Sequence, residues 1–244
     1  MRIAVVSDIH GNRTAFEAVI EDIRHAAPDL ILHGGDLADG GSSPTEIVDR
    51  IRDLGWQGVM GNTDEMLVRP EALEGFASQS AAPPALWDAI REIARATRTA
   101  LGDERLAWMQ ELPRTLTTGS LAVVHATPES CWKTPAESAS DEELGTIYGP
   151  LGRSIVAFGH THRPSIRKLA GEPEFLIHLA NAGSVGLPYD HDSRASYLLI
   201  DEEEPVIRRV EYDLEKELRA LAVCGLPGAE WTAKMLRTSP PQMP

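Results

Sequence analysis

The segment Ile3-Ala4-Val5-Val6-Ser7-Asp8-Ile9-His10 decides the fold, because an apolar run typical of a buried strand ends in two side chains that bind divalent metal. Asp8 and His10 are separated by one residue, so they point the same way in an extended segment while Ile9 faces the core. Two later apolar runs end in Gly35-Asp36 and in Gly61-Asn62. Open α/β sheets place their sites at the carboxyl ends of strands, so we expect these side chains to lie together there.

Helical patterns separate these three strands. Asn12 can cap a helix that ends before Pro28, and Ser43-Pro44-Thr45-Glu46 opens a second helix with a capping serine and a proline at the first helical position. The second and third strands are predicted at Leu30–Leu32 and near Gly58–Met60. The order strand, helix, strand, helix, strand predicts a parallel sheet with right-handed crossovers.

The pattern changes after Asp64. Residues 84–112 have helical spacing, and we expect a helical cap inserted at about residues 70–113. Strand signals then return at Leu121–Val124, Ile155–Phe158, Phe175–Leu179, Tyr197–Ile200 and Val206–Val210. The later ones are short and separated by turn residues, which predicts an antiparallel second sheet. We expect one domain over residues 1–224, followed by a tail at 225–244 that is loosely ordered or docks on another surface.

Composition narrows the classes of function. The net charge of −14 has the wrong sign for binding a long nucleic acid by its phosphates. The chain has no charged leader before an apolar stretch and no apolar run near 18 residues, so we expect a cytoplasmic protein without a membrane partner. Cys131 and Cys224 lie far apart, so neither a disulfide framework nor a zinc ribbon is predicted. The oligomeric state stays open, with a homo-oligomer as one option.

A second pair of histidines completes a set of metal-binding side chains. Gly159-His160-Thr161-His162 repeats the i, i+2 spacing of the first pair, and His125 ends a predicted strand. The seven candidate ligands are Asp8, His10, Asp36, Asn62, His125, His160 and His162. They are too many for one closed tetrahedral site and suit two ions that share a carboxylate. Nitrogen and oxygen ligands favour two divalent ions of manganese, iron, zinc, cobalt or nickel, with manganese as the first choice for assays.

The order of these motifs resembles that of the calcineurin-like metallophosphoesterase superfamily, and most closely its small bacterial and archaeal phosphodiesterases. The resemblance runs from residue 5 to about residue 201 and includes Asn181–Gly186 and Arg194–Tyr197. It implies an α/β fold, a four-layer αββα sandwich of two mixed β-sheets, here with the helical cap insertion.

The resemblance also implies the ligand sets and the reaction. The first ion would be held by Asp8, His10, Asp36 and His162, and the second by Asp36, Asn62, His125 and His160. Asp36 would bridge, and Asp36, Asn62, His125 and His160 would be the catalytic residues. The implied activity is that of a metal-dependent phosphoric ester hydrolase, a phosphodiesterase rather than a monoesterase. A hydroxide bridging the two ions would attack the phosphorus of a small phosphate ester in line.

The chain departs from many relatives after Asn62, where Thr63 stands in place of a histidine that serves as general acid or phosphate clamp. A threonine hydroxyl can hydrogen-bond a phosphate oxygen but is too weak an acid to replace imidazolium. We therefore predict faster turnover of substrates with good leaving groups, such as aryl esters. Asp64 is predicted to orient a histidine. Asn12 and Arg194 are candidate phosphate contacts, with a helix cap and a surface charge as their structural alternatives.

Other functions stay open at this point. A nucleotidase or a dinucleoside polyphosphate hydrolase fits the same motifs. The superfamily also includes a non-catalytic scaffold that has lost part of the ligand set, whereas all seven positions are filled here by metal-binding residue types. The missing histidine and the short chain argue against a protein phosphatase. We expect the cap and the loop at residues 127–150 to define the substrate pocket, where Pro128, Trp132 and Tyr148 could stack a base or have a core or surface role.

Overall fold

The strand that leads to Asp8 lies at the centre of the first sheet. The computed structural model describes residues 1–171, 175–239 and 243. The order of this sheet is β10-β9-β1-β2-β3. Its strands are β1 (Ile3–Val6), β2 (Leu30–His33), β3 (Gln57–Gly58), β9 (Ala195–Asp201) and β10 (Glu204–Val210). The strands β1, β2 and β3 are parallel, as predicted, and β9 pairs antiparallel with β1.

The second sheet has the order β4-β5-β6-β8-β7. Its strands are β4 (Thr115–Thr118), β5 (Leu121–Val124), β6 (Ile155–Phe158), β7 (Ser165–Gly171) and β8 (Phe175–Asn181). The prediction of an antiparallel second sheet is wrong, because β5, β6 and β8 are parallel and β9 and β10 join the first sheet. The strands β4 and β7 were not predicted. The spacing of short strands indicates hairpins, but it does not say which sheet a hairpin joins.

Two helices connect the strands of the first sheet. They are α1 (Arg13–Ala26) and α2 (Pro44–Leu54). The side-chain oxygen of Asn12 accepts a hydrogen bond from Ala15 N and caps α1, as predicted. Ser43 and Pro44 open α2 as expected, but the Ser43 side chain makes no capping hydrogen bond.

The predicted helical cap is present as α4 (Pro70–Ala77) and α5 (Pro84–Gln110), after the short α3 (Asn62–Val68). Helix α5 is interrupted at Gly102, whose φ of 68° and ψ of 170° are not helical. After β5 come α6 (Asp141–Tyr148) and a 3₁₀ turn at Gly149–Leu151. None of the described helices is long and apolar enough to cross a membrane.

The C-terminal region contains α7 (Leu214–Val223) and α8 (Ala229–Thr238). Met235 and Leu236 of α8 are buried against Leu218 and Leu221 of α7. The described part of the predicted tail is therefore a helix docked on the chain itself. Residues 240–242 and 244 of that tail lie outside the described residues.

The core forms between and outside the sheets. Val5 and Leu32 of the first sheet pack with Val123 and Ile155 of the second. Helices α1 and α2 cover the outer face of the first sheet with an apolar cluster that includes Phe16, whereas α6 covers the second. Each fully buried large aliphatic side chain contributes about 1.5–3 kcal/mol. The layer order helix, sheet, sheet, helix confirms the predicted four-layer αββα sandwich of two mixed sheets.

Candidate metal centre

Four predicted ligands meet where the carboxyl ends of the two sheets face each other. The ligand atoms of Asp8, His10, Asp36 and His162 all lie within 4.8 Å of one another, and all four residues are buried. His162 Nε2 lies 3.2 Å from Asp8 Oδ1, and His10 Nε2 lies 3.6 Å from Asp36 Oδ2. The first sheet supplies three of these residues, whereas His162 follows β6 of the second.

The other three predicted ligands gather on the second side of Asp36. Asn62 Oδ1 lies 2.9 Å from His125 Nε2 and 2.8 Å from His160 Nδ1. His125 Nε2 is also 3.5 Å from Asp36 Oδ2. Asp36 therefore lies between both groups, in the position that a bridging carboxylate requires.

Backbone carbonyls fix the tautomers of three histidines. The Nδ1 atoms of His10, His162 and His125 lie 2.8, 2.6 and 2.7 Å from the carbonyl oxygens of Asp39, Leu187 and Gly34, respectively. Because a carbonyl only accepts, each Nδ1 carries the proton and each Nε2 presents a lone pair. This is the usual arrangement for histidines that bind metal through Nε2.

The fixed tautomers bring acceptors face to face. His10 Nε2 and His162 Nε2 are 3.2 Å apart, and His125 Nε2 faces the Asn62 carbonyl oxygen at 2.9 Å. Two lone pairs at such distances repel unless a proton or a metal cation lies between them. The donor set and its supporting carbonyls fit two divalent ions.

The backbone at the ligands is left-handed at five positions. The φ angles of Asp8, His10, Asp36, His160 and His162 are 55°, 48°, 56°, 65° and 57°. Each costs about 1–2 kcal/mol for a residue with a side chain, and such strain persists only where the surroundings impose it. Here Asp8 N donates to Gly35 O and His10 N donates to Asp36 O, both at 3.0 Å. The two strand-end turns hold each other in this conformation.

Glycines let these turns approach. A Cβ on Gly61 would overlap the side chain of Asp36, and Gly35, at φ +89°, lies against the Gly61 backbone. Any larger residue at Gly61 must displace Asp36. The Gly35-Asp36 and Gly61-Asn62 pairs are thus explained by close packing as well as by chemistry.

Asp64 does not orient a histidine as predicted. Its Oδ2 accepts hydrogen bonds from the backbone N–H of Asp36 at 2.7 Å and of Gly61 at 2.9 Å, while Oδ1 accepts from Leu37 N at 2.9 Å. Burial and the nearby charge of Asp36 raise the pKa of Asp64 to about 6. Asp64 therefore acts on the backbone that presents Asp36.

Electrostatics favour the metal-binding protonation states of Asp8, His10 and His160. At His125, by contrast, burial is outweighed by the charges of Asp36 and Asp8, which raise the pKa of the imidazole. Burial opposes ionisation of Asp8, but His162 and the other nearby histidines outweigh it and hold the pKa of that carboxyl well below its usual range. Burial, with the neighbouring His162, lowers the pKa of His10, and burial together with His125 lowers the pKa of His160 to about 4. An ionised carboxylate beside neutral imidazoles is the form that coordinates a cation.

The predicted substrate contacts differ in placement. Thr63 lies at the centre, where its N–H donates to Asp36 Oδ1 at 2.9 Å and its buried hydroxyl has no partner among the described residues. The Asn12 amide accepts from Ala15 N and donates to Gly186 O, both at 2.9 Å, which matches the helix-cap alternative. Arg194 pairs with Asp192 at 2.7 Å and matches the surface-charge alternative.

A cavity of about 310 Å³ opens beside the centre, and His10, Asn62 and His160 form part of its wall. The cap contributes Leu73, Phe76, Trp87, Ile90 and Ile93, and the loop at 127–150 contributes Trp132. Helix α8 adds Trp231, Thr232 and Met235, which the sequence did not indicate as pocket residues. Tyr148 is a core residue, because its buried hydroxyl donates to Ala126 O at 2.8 Å.

Two supporting residues were missed by the sequence analysis. The Tyr189 ring stacks on His162 with centroids 4.3 Å apart and an interplanar angle of 15°, and Asp39 supplies the carbonyl that holds His10. Asp39 follows Asp36 by three residues in a loop that also contains glycines, and Tyr189 follows the Asn181–Gly186 motif. Proximity to motifs was the available signal for both.

Comparison with known proteins gives a consistent result. The model of the calcineurin-like phosphoesterase superfamily domain matches residues 1–205. An uncharacterized protein, MJ0912, of Methanocaldococcus jannaschii is 31% identical over 254 residues, which is 96% of this chain and 96% of that protein.

Solved structures agree in fold. The metallophosphoesterase from Sphaerobacter thermophilus has a TM-score of 0.78 and 26% identity, covering 98% of this chain and 100% of its own. The hypothetical protein PH1004 from Pyrococcus horikoshii OT3 has a TM-score of 0.81 at 18% identity, covering 99% of each chain. The similarity extends along the whole length of both neighbours.

Proposed function

This chain belongs to the calcineurin-like phosphoesterase superfamily, and from that premise we propose that it is a two-metal phosphodiesterase acting on a small phosphate ester. The family depends on divalent metal and hydrolyses phosphoesters. The observation that carries the finer proposal is the convergence of six ligand side chains around Asp36, with three imidazoles fixed by backbone carbonyls.

Each ion would be held by four residues, one of which is shared. Asp8, His10, Asp36 and His162 would hold the first, and Asp36, Asn62, His125 and His160 the second. The two groups share Asp36, whose Oδ2 lies 3.6 Å from His10 Nε2 and 3.5 Å from His125 Nε2. Manganese, iron, zinc, cobalt and nickel all suit these nitrogen and oxygen donors.

The bound ions would supply an activated water and neutralise the phosphoryl oxygens. The chain itself keeps the Asp8 carboxylate ionised, directs the imidazole lone pairs inward and places the unpaired Thr63 hydroxyl beside the centre. Thr63 cannot protonate the departing oxygen as an imidazolium would. The ester oxygen must therefore leave as an anion or take its proton from solvent, which favours acidic leaving groups.

Two other functions are alternatives to a phosphodiesterase. A nucleotidase or dinucleoside polyphosphate hydrolase uses the same centre on a different substrate. A non-catalytic scaffold is disfavoured, because all seven positions carry metal-binding side chains and their atoms converge. The cytoplasmic location, the domain limits 1–224 and the oligomeric state stay predictions.

The test is hydrolysis of an aryl phosphodiester and an aryl phosphomonoester by chelator-stripped protein, with each candidate metal added back. We expect metal-dependent turnover, a higher rate on the diester, and a loss of at least a hundredfold in Asp36→Asn. The control is Asp103→Asn on the exposed side of the cap, which should retain full activity. Turnover that persists without metal, or in Asp36→Asn, would overturn the proposal.

A further inference from the structure

We propose that the cavity beside the metal centre binds a flat aromatic group of the substrate, so that aryl phosphoesters are the substrate class of this enzyme. The inference rests on the proposed function for the position of the phosphate. It adds what the rest of the substrate must be. The cavity shares His10, Asn62 and His160 with the centre, so a phosphate held at the ions places its ester group directly into this space.

The walls are aromatic on several sides. Trp87 comes from the cap, Trp132 from the loop after β5 and Trp231 from α8, so three of the chain's five tryptophans border one cavity. Phe76 lies between two of them, 5.9 Å from Trp87 at an interplanar angle of 76° and 5.0 Å from Trp132 at 32°. Rings at these distances form the tilted and edge-on contacts that aromatic groups prefer, and a bound ring would extend the same cluster.

Polar groups in the wall are few. Outside the predicted ligands, the tyrosine and the tryptophans, the polar side chains of the wall are Asp39, Thr63 and Thr232. The Thr232 hydroxyl already donates to Gly40 O at 2.6 Å. Asp39 Oδ1, the Thr63 hydroxyl and Trp87 Nε1 are buried without a partner among the described residues, so only a few polar groups of a ligand can be paired here. A nucleoside, with its sugar hydroxyls and the polar atoms of its base, would bring more polar groups than these, and each unpaired one weakens binding roughly tenfold. An aromatic hydrocarbon surface meets no such penalty.

The size of the cavity limits the occupant. A volume of about 310 Å³ is at the lower end of the range for small-molecule sites, roughly 300–1,000 Å³. A space of this size accommodates one or two fused rings. Because α8 begins after residue 205, part of this wall lies outside the segment that the family model matches. The preference is therefore expected to be a property of this chain and its full-length relatives.

The first experiment compares phenyl methyl phosphate with 2-naphthyl methyl phosphate, whose leaving groups have nearly the same acidity. We expect kcat/KM for the naphthyl ester to be about tenfold higher, since one additional buried ring adds that much discrimination or more. The preference should fall at least threefold in Trp87→Leu and in Trp231→Leu. It should be retained in Trp108→Leu, because Trp108 packs against the first-sheet and cap clusters but is not part of the cavity wall.

The second experiment measures binding without turnover. Fluorescence titration of 2-naphthol with chelator-stripped protein should give saturable binding that weakens at least fivefold in Trp231→Leu and is unchanged in Trp108→Leu. Thermal unfolding and metal content of each variant show whether the fold and the centre are intact. A variant that fails to fold is replaced by the milder Trp→Phe change at the same position, for which a smaller loss in the same direction is expected.

The outcomes separate the two proposals. Metal-dependent turnover with equal kcat/KM for both esters, or an equal loss of preference in Trp108→Leu, would overturn the aromatic subsite and leave the phosphodiesterase standing. Absence of turnover with every metal, together with naphthol binding that is lost in the cavity variants, would overturn the phosphodiesterase and support the subsite.

Discussion

The Asp64 carboxylate accepts hydrogen bonds from three backbone N–H groups and so holds together the two turns that carry Asp36 and Asn62. In Asp64→Asn the amide nitrogen cannot accept, so at least one of the N–H groups of Asp36, Leu37 and Gly61 loses its partner. We expect a loss of about 1–3 kcal/mol in unfolding free energy and a decrease of about 10–100-fold in metal affinity. Denaturant unfolding and metal titration measure the two effects.

The matched control for Asp64→Asn is the same change at Asp103, which is exposed. It should alter neither quantity beyond about 0.5 kcal/mol. Unchanged metal affinity in Asp64→Asn would show that the position of Asp36 does not depend on this carboxylate.

His33 predicts a pH dependence of stability. It is fully buried, neither ring nitrogen has a partner among the described residues, and burial lowers its pKa to about 4. Between pH 6.5 and 4 the unfolded chain binds a proton that the folded chain does not, so stability is complete above 6.5 and falls as the pH decreases through this window. At pH 5 the loss from this residue is about 2 kcal/mol.

The measurement is denaturant unfolding of native protein and His33→Leu at pH 7 and pH 5, both in chelator. The variant should lose about 2 kcal/mol less than native protein between the two pH values. His25→Leu, a change at an exposed histidine, is the control. Equal losses in native protein and His33→Leu would contradict the prediction.

Thr63 predicts a dependence on the leaving group. Because its hydroxyl is a poor acid, aryl methyl diesters should turn over at least a hundredfold faster than dialkyl diesters. Thr63→His introduces an imidazole next to Asn62 and should reduce this ratio by raising the alkyl rate. A series of diesters with graded leaving-group acidity gives the slope directly, and a flat slope in native protein would refute the prediction.

At the residue scale the sequence predicts the candidate metal ligands but not the backbone groups that hold them in place. Asp-x-His and Gly-His-Thr-His are visible because the residue types carry the chemistry. The carbonyls of Asp39, Leu187 and Gly34 are backbone groups that every residue has, so no side-chain pattern marks them. The role of Asp64 was assigned wrongly for a related reason, since its partners are backbone N–H groups.

Among the helices and strands, α5 offers a test of backbone strain at a single residue, Gly102. Gly102 adopts a φ of 68° and a ψ of 170°, a region that only glycine occupies easily, and a Cβ there would meet no neighbour. Gly102→Ala should therefore cost about 1–3 kcal/mol through backbone strain alone. Denaturant unfolding measures it.

Gly145 supplies the opposite case. It lies inside α6 without a positive φ, and a Cβ there also meets open space. Gly145→Ala should raise the unfolding free energy by about 0.5–1 kcal/mol because alanine loses less backbone entropy on folding. If Gly102→Ala also raises the unfolding free energy, the interruption of α5 is not imposed by Gly102.

At this scale periodicity predicted most elements but not all of their partners. The first three strands and the cap follow from apolar spacing and from capping residues. The sheet membership of β9 and β10 depends on pairing with β1, a contact between residues nearly 200 positions apart, which local patterns do not contain. The break in α5 could have been suspected from Gly102, although a glycine within a helix usually leaves it intact.

The whole molecule joins two separate sheets at one centre. The first sheet supplies Asp8, His10 and Asp36, and the second supplies His125, His160 and His162 through β5 and β6. Metal bound there would link both sheets. At a free metal concentration 100 times the Kd, the added stability is about 2.7 kcal/mol for each bound ion, which corresponds to a rise in Tm of roughly 5–10 °C per ion.

Thermal unfolding with and without added manganese measures this rise, and amide exchange should show slower opening in β1 and β6 together. Asp36→Asn should lose most of the rise because Asp36 is the residue proposed to contact both ions. A rise of equal size in Asp36→Asn would mean that the metal acts elsewhere on the protein.

The part of the cavity wall that α8 forms has a consequence for how substrate preference can change in evolution. The predicted metal ligands all precede residue 163, whereas Trp231, Thr232 and Met235 belong to a separate C-terminal stretch. Mutations in α8 can therefore change the cavity wall while the predicted metal ligands stay the same. Exchange of the C-terminal segment between relatives should yield chimeras that keep the same chemistry and accept different molecules.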